Sequence, residues 1–146
     1  MSTLSVGPVV PPAAYDLLAQ ARFTLRAAAA ATDPGRRYAT AHLAALRAAA
    51  AVLAVRARPS GRRRGVWTLL ATTAPELAEW AAFFAAGAAK RAAVDTGVPG
   101  AVTTREADDL VREAETFLGV ATAALDRPVP LAPSAYPSLD GTAGRP

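Results

Sequence analysis

The sequence predicts an all-α protein: an up-and-down bundle of four long helices and one short helix, with disordered N-terminal and C-terminal segments. Three observations predict it. Alanine makes up about a quarter of the 146 residues, and alanine orders into a helix without losing side-chain entropy. Apolar residues recur at three- and four-residue spacing along the chain. Proline, glycine and short polar caps punctuate the periodic stretches where helices begin and end. The length supports one domain and one core, read as residues 13–126 between disordered ends at 1–12 and 127–146.

The first helix is expected from Ala13 to Ala31, with Ala14, Leu18, Ala21, Leu25 and Ala28 on its inner face. Asp33 then offers an N-cap and Pro34 a first helical residue, so a second helix is expected from Pro34 to about Arg58. At 100° per residue, Arg37, Thr40, Arg47 and Arg58 fall on one side of it. Ala39, His42, Leu46, Ala49, Ala50 and Leu53 fall on the other, which places His42 in the buried stripe. Pro59-Ser60-Gly61 breaks the helix and Arg62-Arg63-Arg64 follows as a basic turn.

A short helix is expected from Gly65 to Thr72. Thr73 and Glu76 have the spacing of a capping box, which would open a long fourth helix from Ala74 to Val94. Its inward residues would be Leu77, Trp80, Ala81, Phe84 and Ala88. Gly97, Pro99 and Gly100 mark a loop, and Thr103 with Glu106 forms a second capping box. The last helix has the cleanest stripe: Ala107, Leu110, Val111, Ala114, Phe117, Leu118, Ala121 and Leu125. From Arg127 onward, repeated Pro, Ser and Gly leave no periodicity.

Composition excludes several chemistries. There is no cysteine, so disulfides, thiolate nucleophiles and cysteine metal sites are ruled out. A single histidine rules out a histidine metal cluster, and no P-loop or dinucleotide fingerprint is present. No metal and no cofactor are expected. The start lacks a basic segment followed by an apolar run. Arg47, Arg56, Lys90 and Arg91 are taken to interrupt the alanine-rich stretches before membrane-spanning length. The expectation is a cytoplasmic protein without a membrane role.

Net charge is +4, unevenly spread: residues 1–65 hold ten Arg against two Asp, and the remainder is acidic. Arg56, Arg58, Arg62, Arg63 and Arg64 form a candidate nucleic-acid-binding cluster, because clustered guanidinium groups hold phosphate backbones without sequence preference. No aromatic residues are interleaved with them for base stacking. The same cluster also reads as a solvated loop, or as a basic surface facing the acidic last helix of a second copy. Trp67, Trp80, Phe83 and Phe84 fit core packing better than a ligand pocket.

The spacing from Arg37 to His42 carries the sharpest candidate chemistry. The run from Arg37 to Arg47, and the segment from Pro75 to Gly87, resemble an actinobacterial family of small stand-alone HEPN proteins. The likeness covers about residues 13–125. HEPN domains are helical bundles, usually dimeric; many cleave RNA without a metal, and others bind RNA or nucleotides or act as inactive partners. The resemblance therefore implies a homodimer with a composite site, where His42 would move a proton and Arg37 would neutralise the phosphate.

Read from the residues alone, His42 is equally a neutral core histidine bonded to a backbone carbonyl, or an interface contact. Five residues along a helix turn Arg37 and His42 about 140° apart, so one subunit cannot easily aim both at one phosphate. The functional expectation is a non-catalytic HEPN-type module binding RNA or a nucleotide. The alternatives are a metal-independent endoribonuclease using Arg37 and His42, and a structural bundle that binds a protein partner.

Overall fold

Asp33 turns the chain between two long helices, which then pack along a seam lined by alanine. The structure, a computed structural model, describes residues 10–56 and 65–126. Its elements are α1 (Pro12–Ala30), α2 (Pro34–Arg56), α3 (Val66–Thr73), a 3-10 turn (Pro75–Leu77), α4 (Ala78–Ala86), α5 (Ala88–Asp95) and α6 (Thr104–Asp126). There is no strand among the described residues, and the all-α class holds. Of the ends expected to be disordered, only residues 10–12 are described, and there Pro12 already begins α1.

Local chemistry fixes the helix starts. The Asp33 carboxylate accepts from the Arg36 amide at 2.9 Å, and Pro34 follows at the first helical position. At α6 the capping box closes in both directions. The Thr103 hydroxyl accepts from the Glu106 amide at 3.0 Å, and the Glu106 carboxylate accepts from the Thr103 amide at 2.9 Å. Gly97 and Gly100 both adopt positive φ in the loop before it, where a Cβ would be strained.

Helix α2 is central, packed by α1 and α6 along its length and by α3 and α5 on its flank. The expected two-faced wheel is therefore corrected. Tyr38, Ala41, His42, Ala44, Ala45, Ala48, Ala49, Ala51 and Val52 are buried, a band far wider than one stripe. Ala39, Leu46, Ala50 and Leu53 are only half-buried. Alanine does not mark a face, because it costs little whether buried or exposed and lets neighbours approach from either side. Even Arg47 turns inward and donates to the Thr24 hydroxyl of α1.

The same helix corrects the expectation about membrane-spanning length. Among the described residues, Pro34–Arg56 is long and apolar enough to cross a membrane by length and composition, since its few arginines do not offset its alanine, leucine and valine. Half of its most apolar stretch is buried against the other helices.

The expected long fourth helix is also corrected. Thr73 is the last residue of α3, its hydroxyl donating back to the Leu69 carbonyl at 2.7 Å, and the turn after it starts without a side-chain cap, so no capping box forms there. A 3-10 turn follows, then α4, a break at Gly87, and α5. Leu77, Ala81 and Phe84 are buried as expected, but Ala88 lies beyond the break and is exposed. The large side chains gather between α3, α4 and α6. Phe84 sits 5.2 Å from Phe117 and stacks on Trp67 at 5.1 Å, and Trp80 packs on Phe117 at 5.6 Å. Burying one such phenyl ring contributes about 2–3 kcal/mol, so this cluster anchors a core otherwise made of small residues.

Candidate functional site

His42 projects from α2 toward the joint between α4 and α5, and only 2% of it is exposed. Its Nε2 lies 2.9 Å from the Phe84 carbonyl oxygen. A carbonyl can only accept, so Nε2 carries the proton. That leaves Nδ1 as an acceptor, and Nη1 of Arg91 faces it at 3.4 Å, a long contact. Both nitrogens of a neutral imidazole are thus engaged. The edges of Trp67 and Phe84 close the remaining sides, at 6.0 and 6.2 Å between ring centres.

Burial pushes the His42 pKa below the ordinary histidine value, and the Arg91 charge acts in the same direction. The Phe84 hydrogen bond and the Asp95 carboxylate oppose this without reversing it. Asp95 is itself paired with Arg91 at 3.5 Å. The ring is therefore held neutral and away from solvent.

One turn earlier on α2, Tyr38 is buried, and burial raises its pKa. Its hydroxyl donates to the Gly87 carbonyl at 3.4 Å. The same oxygen lies 2.7 Å from where a Cβ on residue 87 would stand. A Cβ there would force the Tyr38 ring or the joint to shift. The Phe84 carbonyl also accepts from the Gly87 amide at 3.1 Å, so the joint is held by Tyr38 and His42 together.

Arg37 points elsewhere. Its Nη1 donates to the Ala29 and Ala31 carbonyls at 2.8 and 3.2 Å, which satisfies the end of α1. Its Nε pairs with Asp108 of α6 at 3.0 Å. The structure does not bring Arg37 and His42 together; the guanidinium that meets His42 is that of Arg91. Local sequence gave no sign of this. Arg91 stands in the sequence only as a charge interrupting an alanine-rich stretch, while its partner lies 49 positions away.

Of the arginine cluster, Arg56 is described and the rest is not: Arg58, Arg62, Arg63 and Arg64 lie outside the described residues. The Arg56 side chain is 3% exposed and ion-paired with Glu76, and its Nη2 reaches toward the Ala124 carbonyl. It ties α2 to the 3-10 turn and to the end of α6. Trp67 and Trp80 are half-buried and Phe84 is buried, while Phe83 is 44% exposed. An open apolar groove lies between α3 and α4, lined by Trp67, Ala71, Ala81 and Ala85 without a charged group. No cluster of three or more His, Asp or Glu side chains suited to a metal occurs among the described residues.

No curated protein and no solved structure gives a match to the chain. The model of the SAV_6107-like HEPN family matches residues 28–122. That span holds α2 through most of α6, including Arg37, Tyr38, His42, Phe84, Gly87 and Arg91. The chain belongs to the SAV_6107-like HEPN family.

Proposed function

We propose that this protein is a non-catalytic HEPN module, a cytoplasmic homodimer that works by binding RNA or a nucleotide rather than by cutting RNA. The observation that carries this reading is the state of His42. A general base must come within about 3 Å of the proton it removes. His42 is 2% exposed and spends Nε2 on the Phe84 carbonyl, while Nδ1 faces Arg91. Arg37, the other half of the composite site, is committed to the end of α1 and to Asp108. The basic character of residues 1–65 supports an anionic ligand.

The test is an RNA-cleavage assay with a purified, untagged chain in the presence of a chelator. The reading expects intact RNA from both the native protein and His42→Ala. Cleavage by the native protein that His42→Ala abolishes, with helical content unchanged, would overturn it. Binding is read separately, by fluorescence anisotropy of a labelled oligoribonucleotide across a salt series. A measurable affinity that falls steeply with salt is expected, and an absence of binding at low salt counts against the ligand class.

A further inference from the structure

Helix α1 buries one face against α2 and α6 and leaves the other in solvent. That outer face is unusual in carrying large apolar side chains: Phe23 is 68% exposed and Tyr15 is 50% exposed. Ala19, Ala27 and Ala30, all exposed, continue it. Two opposite charges lie on the same face, Asp16 toward the start of the helix and Arg26 toward its end. Arg22 is turned aside, donating to Thr122 of α6 at 3.0 Å. Neither Asp16 nor Arg26 has an ion-pair partner among the described residues. The Arg26 guanidinium lies over the Phe23 ring, 5.8 Å from its centre.

From this pattern we infer that the outer face of α1 is the homodimer surface, pairing antiparallel with α1 of a second copy in one specific register. The inference rests on the homodimer part of the function proposed above and names its contacts. Asp16 and Phe23 stand one heptad apart, as do Ala19 and Arg26, so the four form the spacing of an antiparallel helix seam. Centring the twofold axis midway between Ala19 and Phe23 on the outer face sets Asp16 opposite the partner's Arg26 and Phe23 opposite the partner's Ala19.

By symmetry each contact occurs twice. Every large side chain on the seam then meets a small one, and every charge meets its opposite. The parallel arrangement would set Phe23 against Phe23 and like charges against each other. The occupant that the charge order and the size order both fit is therefore a second copy of this chain. A seam of one helix pair is smaller than a standard protein interface, so the dimer dissociates on dilution.

Sedimentation equilibrium of the full chain over a wide concentration range tests this. The native protein is expected to shift from monomer to dimer as concentration rises. Phe23→Glu, at a position already exposed, is expected to weaken association by about tenfold or more while circular dichroism stays unchanged. Asp16→Arg and Arg26→Asp are each expected to weaken it, and the double variant to restore it. Mixing the two single variants should restore it as well, because each then supplies what the other lacks. A chain that stays monomeric at every concentration overturns both the homodimer and this surface. A dimer that ignores Phe23→Glu, or that the double exchange fails to restore, overturns the surface and leaves the homodimer standing.

Discussion

His42 Nε2 donates a hydrogen bond to the Phe84 carbonyl, 2.9 Å away, and the helix that contains Phe84 ends within three residues of it. This bond joins the only histidine of the chain to the break between α4 and α5. Tyr38, one turn before His42, completes the joint by filling the space where Gly87 has no side chain. His42, the histidine of the Arg37-to-His42 spacing, here shapes the core, while Arg37 closes the end of α1 and pairs with Asp108.

The first prediction concerns that device. His42→Ala removes a buried ring and leaves Arg91 and the Phe84 carbonyl each short of a partner. It is expected to cost about 2–4 kcal/mol of stability, read by urea denaturation with an unchanged slope. A loss under about 0.5 kcal/mol, the level of an ordinary surface substitution, would show that the ring is not packed as described.

A second prediction follows from the lowered pKa of His42. The unfolded chain binds its proton near the ordinary value of 6.5, and the native chain binds it only at lower pH. The contribution of His42 is therefore complete above 6.5 and is lost as pH falls from there through the native pKa. His42→Gln, which cannot titrate, should lack this loss, so the difference between the two stability curves narrows across that window. Parallel curves would contradict it.

Gly87 provides a third. Gly87→Ala places a methyl group 2.7 Å from the Tyr38 hydroxyl oxygen, and the expected cost is about 1–3 kcal/mol. Tyr38→Phe removes that oxygen and a hydrogen bond of 3.4 Å, so alone it should cost under about 1 kcal/mol. In the Tyr38→Phe background, Gly87→Ala should be much less harmful. A double-mutant cycle by thermal denaturation reads the coupling, and strict additivity would refute the contact.

The fourth concerns Arg56, whose guanidinium is buried against Glu76. Removing the carboxylate strands a buried charge, whereas replacing the arginine with an apolar side chain of similar length does not. Glu76→Ala is expected to destabilise the protein by about 2 kcal/mol, discounted because Glu76 is one-third exposed. Arg56→Met should cost clearly less. The reverse order in chemical denaturation would contradict the buried pair.

Helix ends were legible where the cause is local. Asp33 with Pro34, and Thr103 with Glu106, cap their helices as their spacing implies, because the bonding partners lie three residues apart. Thr73 and Glu76 have the same spacing and fail, since Thr73 is still the last residue of α3 rather than an extended residue ahead of a new helix. The break at Gly87 was not legible: the side chains bonded to it, Tyr38 and His42, lie more than forty residues earlier in the chain. The faces of α2 blurred for another reason, as alanine carries too little preference for burial to mark a side. The stripe of α6 is clear because Leu110, Phe117, Leu118 and Leu125 do carry that preference.

His42 is a sealed, neutral ring with its proton on Nε2. Because the chain has one histidine, long-range nitrogen–proton NMR of an untagged, labelled sample observes that ring alone. The spectrum should show the Nε2-protonated neutral form at neutral pH, titration only below 6.5, and no shift on adding RNA. A ring that titrates at or above 6.5, or that moves when RNA is added, would contradict it.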